Sequence, residues 1–196
     1  MNRMFFIAIF FFAAFVSAEE KNPYTNEVRE YLKSLKNVTA EFTQQDKYGN
    51  VQKGVMYMSR PDKMRWEYQD PKEFIVIMDG TKIYYYDKEL DQFSHYIGDP
   101  GMINLIAEED IFLSKQLKLL NIESDSDLIR AHFMHTENNG RITFIFRPKP
   151  FVLLGFVVKE ETSNKLFIKL HNLAIGKAID PSLFVFKHSL APKSQR

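Results

Sequence analysis

Three groups of residues in this chain have types and spacings that could do chemistry. His132 and His135 form the one close histidine pair in the sequence, and paired histidines can hold a metal ion. On a strand, however, a spacing of three puts them on opposite faces, so they read as structural residues rather than ligands of one metal. The run Glu108-Glu109-Asp110 could imitate the paired carboxylates of a general acid–base site. At the start of a helix the same run is a solvated first turn that suits the helix dipole. The third group is apolar. Met56 and Met58 have the same strand parity as Arg60, and Met64, Trp66 and Tyr68 share one face of the next apolar run. Methionine is flexible and polarisable, which suits an adaptable greasy surface, although an ordinary sandwich or barrel core gives the same pattern. Arg60 separates the two readings. A cation at the rim of an apolar face must find a partner or stay wet, and the alternative is a plain exposed arginine at a strand end. Motifs of nucleophilic hydrolases, phosphate-binding loops and metalloprotease helices do not occur. The chain therefore reads as a non-enzyme with no metal and no cofactor.

These residues must be positioned by the elements around them. Asn22-Pro23 reads as a helix cap followed by proline in the first turn, and Val28, Leu32 and Leu35 recur at helical spacing. This predicts an amphipathic helix over 23–36. From Val38 the periodicity changes to short alternating runs over 38–48, 51–60, 63–68, 74–78, 82–87 and 92–97, separated by turn residues such as Asp79-Gly80. Closely spaced strands with tight turns predict an antiparallel meander. Residues 98–101 break the series, and Met102, Leu105, Ile106, Leu113, Leu117 and Leu120 at spacings of three and four predict one or two short helices over 101–120. Further strands are expected at 128–136, 141–147, 151–160, 165–173 and 183–188. A meander of about eleven strands must curl or split to hide its inner face, and the two amphipathic segments are natural covers for a curved sheet that does not close.

The ends and the composition restrict the class further. Arg3, the apolar run Met4–Val16 and small residues at Val16 and Ala18 predict a cleaved secretory signal over residues 1–18. The remainder, 19–196, is expected to be one domain. It has a formal charge balance of zero once Arg3 is removed, which argues against a nucleic-acid partner. The chain has no cysteine, so it has no thiol chemistry, and Glu19 rather than a cysteine follows the expected cleavage site.

In order along the chain, Ala40-Glu41-Phe42-Thr43-Gln44, Arg60-Pro61-Asp62-Lys63-Met64-Arg65-Trp66, Pro71, Asp79-Gly80 and Asp180-Pro181-Ser182-Leu183-Phe184-Val185-Phe186 resemble the LolA family of periplasmic outer-membrane lipoprotein carriers. The resemblance covers nearly all of 19–196 and is loosest over 101–135. It implies a mainly β (α+β) fold. In that fold an unclosed antiparallel β-barrel of about eleven strands has an N-terminal helix and a helical insert as a lid over a hydrophobic cavity. It also implies a periplasmic, monomeric chaperone that takes acylated lipoproteins from an inner-membrane ABC transporter and passes them to an outer-membrane acceptor. By position, Arg60 matches the arginine that tethers the lid, and Leu32, Ile103 and Ile106 match lid residues. Met64 and Trp66 match cavity-lining residues, with Phe42, Met56 and Met58 expected to join them against the acyl chains. Tyr84 stands where the family has a strand tryptophan.

Other readings remain at this point. The main alternative is a periplasmic sensor module that recognises lipids or lipoproteins with the same half-barrel, although such relatives usually carry extra domains. An anchored acceptor would need a cysteine at position 19, and a small hydrolase would need a nucleophile motif.

Overall fold

The computed structural model describes residues 22–97, 101–160 and 165–186. The expected secretory signal, residues 1–18, lies outside these. Helix α1 spans Thr25–Ser34 and buries Val28 and Leu32. The helix starts later than predicted: Tyr24, not Asn22, is its cap residue, and Asn22 instead accepts the Tyr24 amide on its Oδ1 at 3.0 Å in the turn before it. Eleven strands follow in an antiparallel sheet: β1 Asn37–Gln45, β2 Val51–Ser59, β3 Lys63–Asp70, β4 Phe74–Asp79, β5 Lys82–Asp87, β6 Gln92–Ile97, β7 Leu117–Ser124, β8 Ile129–His135, β9 Arg141–Pro148, β10 Phe151–Lys159 and β11 Lys165–Ile175. Their order is β6-β5-β4-β3-β2-β1-β11-β10-β9-β8-β7, so the terminal strands β6 and β7 are not paired with each other and the sheet stays open.

Register places the apolar alternation on one side. One inward row runs Val38–Met58–Met64–Met78–Ile83–Tyr96, and the next runs Ala40–Met56–Trp66–Val76–Tyr85–Ser94. On the other half, Ile168, Phe156, Phe144 and Ala131 form a comparable row. Helix α1 and the first 3₁₀ helix, Met102–Ala107, lie over this concave face, and one continuous apolar cluster joins them to the sheet. Gly54 shows how tightly the face is filled. It sits opposite Phe42, and a Cβ there would meet the Phe42 ring at 3.0 Å and collide with the backbone of Glu67. A glycine here lets a large ring lie flat against the neighbouring strand.

Two expectations from the sequence are corrected. The segment 101–120 is not simply helical. It forms 3₁₀ helices at Met102–Ala107 and Ile111–Leu113 and then enters strand β7. A bulge between Leu119 and Asn121 shifts the β7 register. One extra residue turns the strand period of two into gaps of two and three, so the inward positions are Leu117, Leu119 and Ile122, while Leu113 in the 3₁₀ helix and Leu120 at the bulge are exposed and only coincidentally at helical spacing from Leu117. The second correction concerns the C-terminal end. The expected strand over 183–188 is instead a 3₁₀ helix at Pro181–Phe184, with Asp180 Oδ1 accepting from the Ser182 amide at 2.9 Å; residues 187 and 188 lie outside the described residues. This segment packs on the convex face. Phe184 is buried there, near Ile75 and Ile77, whose register neighbours are the outward Glu67 and Arg65. Phe186 stacks on Tyr84 and Phe93 at ring separations of 5.6 and 4.1 Å. Arg65, itself buried, donates to Leu183 O at 2.9 Å and pairs with Glu67.

Replacing Gly54 with Ala is expected to cost about 2–4 kcal/mol, because the added methyl meets backbone and an already packed ring. Urea unfolding that gave a midpoint unchanged from the parent would show that the strand can yield there.

Candidate functional site

The turn between β2 and β3 is where sheet and lid meet. Asn37–Gln45 and Val51–Ser59 pair over nine residues, and this rigid ribbon delivers Arg60 to the end of the inward row of Met56 and Met58. The Arg60 guanidinium points under the lid. Its Nη1 donates to Leu32 O at 2.6 Å, in α1, and its Nη2 donates to Ile106 O at 2.7 Å, in the first 3₁₀ helix. The backbone of the same turn reinforces the contact. Arg60 N donates to Lys36 O at 2.8 Å, and Asp62 N donates to Ala107 O at 2.9 Å. Both acceptors reached by the guanidinium are carbonyls near helix C-terminal ends, where a cation is favoured. One side chain therefore clamps two lid segments that are 74 positions apart in sequence, at Leu32 and Ile106.

Burial pulls the Arg60 pKa down from its ordinary value to about 10, with Asp110 and Glu108 opposing the shift. The side chain is thus charged at neutral pH. It bonds neutral carbonyls, and its Nε is buried without a hydrogen-bond partner among the described residues. Two hydrogen bonds from a charged donor are worth about 1.5–3 kcal/mol each, while the orphaned N–H costs about 1–3 kcal/mol. The tether is therefore closed but weak.

Beneath it, the apolar residues singled out from the sequence come together. Met56, Met58, Met64, Trp66 and Phe42 are each at most 2% exposed, as is Leu32. Phe42 meets Trp66 and Tyr68 edge-on at 4.8 and 5.1 Å, and Trp66 meets Phe156 at 6.5 Å. Ile106 is buried in the same cluster, whereas Ile103 is half-buried against it. The Trp66 indole N–H is buried without an acceptor among the described residues. With the tether closed, this face is filled by its own side chains and the lid. An open cleft of about 850 Å³ lies beside the tether, rimmed by Lys33, Lys36, Asp62, Glu108 and Asp110, with Pro61 and Leu113 also in its lining.

Residues that sequence reasoning passed over also line the concave face: Met78, Phe144, Phe146 and Phe156. The strict alternation of Ile142, Phe144 and Phe146 was a readable signal for one face of β9. Tyr84 does not face the concave side, since it belongs to the convex aromatic stack. His132 and His135 lie on opposite faces of β8. His135 is buried, with Nδ1 accepting from the Glu137 amide, and His132 Nδ1 meets Thr143 Oγ1 at 3.0 Å. The acidic run lies outside any α-helix. Glu108 ends the first 3₁₀ helix, and Asp110 caps the second by accepting from the Phe112 amide at 2.9 Å.

Burial first, and Asp62 as well, hold the Glu108 carboxyl above the usual carboxylate range, against the Ser114 hydrogen bond and the Arg60 charge. A carboxyl whose pKa is raised by folding costs stability while ionised, and that cost shrinks as the pH falls below its folded pKa and is gone below the ordinary carboxylate pKa. Glu108→Gln is expected to raise the thermal midpoint by about 1–2 °C at neutral pH, with the gap closing on acidification. A gap that widens on acidification would contradict this assignment.

The sequence matches the family described as outer membrane lipoprotein carrier protein LolA over residues 33–187. An outer-membrane lipoprotein carrier protein of Chromohalobacter salexigens is 33% identical over 177 residues, covering 80% of this chain and 79% of its own length. An uncharacterized protein of Rickettsia prowazekii is 24% identical over 194 residues, covering 96% of this chain and 89% of its own. Among solved structures, an uncharacterized conserved protein from Thermus thermophilus aligns with a TM-score of 0.51 at 9% identity, over 84% of this chain and 94% of that one, which is a likeness of fold alone. With the matched span, the identity to a named carrier and the open eleven-stranded sheet all on one chain, the protein belongs to the LolA family of outer membrane lipoprotein carrier proteins.

Proposed function

We propose that this protein is a periplasmic chaperone that shelters the acyl chains of lipoproteins on its concave face and carries them from the inner membrane to an acceptor at the outer membrane. In this reading an inner-membrane ABC transporter is the donor, and the protein acts as a monomer without catalysis. The carrying observation is the Arg60 clamp, a charged side chain that holds both lid segments over a face rich in methionine and aromatic rings. No helix among the described residues is long and apolar enough to cross a membrane.

The magnitudes fit a carrier that must both hold and release. Burying one methylene is worth about 0.8 kcal/mol, so roughly four to eight methylenes offset the two charge-assisted bonds at about 3–6 kcal/mol, and fewer once the orphaned Nε–H is set against them. A long acyl chain exceeds that threshold and opens the lid. Opening frees Arg60 from its carbonyls, and reclosing restores those bonds when the cargo leaves. The tether thus lowers affinity for cargo by its own closure energy, and onward transfer needs no nucleotide. Leu32 and Ile106 supply the carbonyls and, with Ile103, the apolar underside of the lid. Phe42, Met56, Met58, Met64 and Trp66 supply the face that meets the chains. Unbranched methionines re-pack around chains of different length.

Arg60→Leu removes the donors and keeps an apolar side chain of similar reach. The variant is expected to fold, to bind acylated lipoprotein and to release it about tenfold or more slowly, the equivalent of at least about 1.4 kcal/mol of lost closure. A reconstituted transfer assay showing hand-off at the parent rate would sink the tether mechanism.

A further inference from the structure

The two free edges of the sheet are built differently. Edge β7 is blunted in ways that natural sheets use to prevent pairing. A bulge interrupts it at Leu119/Asn121, Lys118 and Glu123 put charges along it, and the 3₁₀ helix Ile111–Leu113 packs against it. The side chain of Asn22 also donates to the edge carbonyl of Ile122 at 2.9 Å. Among the described residues, edge β6 has none of these devices. Its pairing with β5 runs from Asp87↔Gln92 to Lys82↔Ile97 without a bulge. Between Gln92 and Ile97 there is no Lys, Arg, Asp or Glu. Among the described residues only β5 pairs with it. Tyr96 and Ile97 are 57% and 68% exposed, and a depression of about 330 Å³ lined by Lys82, Tyr84, Phe93, His95, Tyr96 and Ile97 lies mainly on the convex side of the strand.

This bare edge is continuous with the sheltered face. The inward row of Met58, Met64, Met78 and Ile83 ends at Tyr96, and the row of Met56, Trp66, Val76 and Tyr85 ends at Ser94. Lipid chains lying along these rows would leave the sheet at β6. The polypeptide joined to them would then start its path beside a strand whose outer N–H and C=O groups have no strand partner among the described residues.

We infer that the β6 edge binds the extended main chain of the cargo, the stretch that follows its acylated N-terminal cysteine, as an added strand. The inference rests on the carrier reading above and deepens it. Pairing through the main chain is indifferent to sequence, with specificity left to side-chain pockets. That suits a carrier of many lipoproteins whose shared features are the lipid and a peptide backbone. A second copy of this chain fits the edge less well. Two six-residue strands would bury only a few hundred Å² between them, against about 1,200–2,000 Å² for a stable interface.

Hydrogen exchange of the β6 amides tests this with two synthetic probes. One is tripalmitoylated cysteine alone, and the other is the same lipid followed by about ten neutral residues. The peptide-bearing probe is expected to slow exchange in β6 by roughly fivefold or more, the lipid alone should leave β6 unchanged, and N-methylation of alternate peptide residues should abolish the protection. If the peptide-bearing probe binds, seen as altered exchange in α1 and Met102–Ala107, yet β6 is unaffected, the edge inference fails and the carrier reading stands. Equal protection by lipid alone would also overturn it. Protection in the free protein that grows with protein concentration would assign the edge to a second copy instead. If neither probe binds, the carrier reading fails and the inference falls with it.

Discussion

An open sheet with one apolar face has to be covered by something other than itself. In this chain the strands at the two ends of the sheet do not pair, so the inward rows cannot be closed off by hydrogen bonding as in a complete barrel. The cover comes instead from α1 and the 3₁₀ segments inserted between β6 and β7. Apolar burial alone would weld such a cover in place, because contact between greasy surfaces is non-directional and accumulates with area. Arg60 adds a contact of a different kind. Its bonds to Leu32 O and Ile106 O are directional, they act on the lid backbone rather than its side chains, and they enclose a charge whose burial is unfavourable. Closure is therefore a near-balance of a favourable apolar term, favourable hydrogen bonds and an unfavourable charge term.

The same hairpin carries a second arginine facing the other way. Arg65 on β3 holds the C-terminal segment against the convex face through Leu183 O, and Ile77, Phe184 and the Tyr84–Phe93–Phe186 stack fill the space around it. Strands β3 and β4 thus have buried residues on each face, one under the lid and one under the C-terminal segment. A strand buried on both faces cannot bend freely. That stiffness gives Arg60 a fixed base from which to reach both lid segments.

Much of this was legible in the sequence, and the failures have identifiable physical causes. Period-two alternation marked ten of the eleven strands, and the parity of Arg60 with Met56 and Met58 put its side chain on the sheltered side. Strand β7 was missed because its bulge altered the period. The C-terminal segment was misread because Leu183, Val185 and Phe186 have strand-like composition, while Asp180-Pro181-Ser182 caps a 3₁₀ turn. At the site, the composition of the concave face was readable. The partners of Arg60 were not, because they are main-chain carbonyls and any residue supplies those. For the same reason the role of Arg65 was hidden, since neither Leu183 nor any other position in the tail advertises a carbonyl acceptor.

Three methionines, Met58, Met64 and Met78, are adjacent in one row across three strands, and none is more than 3% exposed. Thioethers are oxidised to sulfoxides, which are polar and chiral and no longer fit an apolar layer. The lid therefore shields a face rich in oxidisable sulfur. In the proposed carrier cycle each opening would expose that sulfur for as long as no acyl chain covered it. The lifetime of the open, empty state would then set how much oxidative damage the protein accumulates, quite apart from how fast it delivers its cargo.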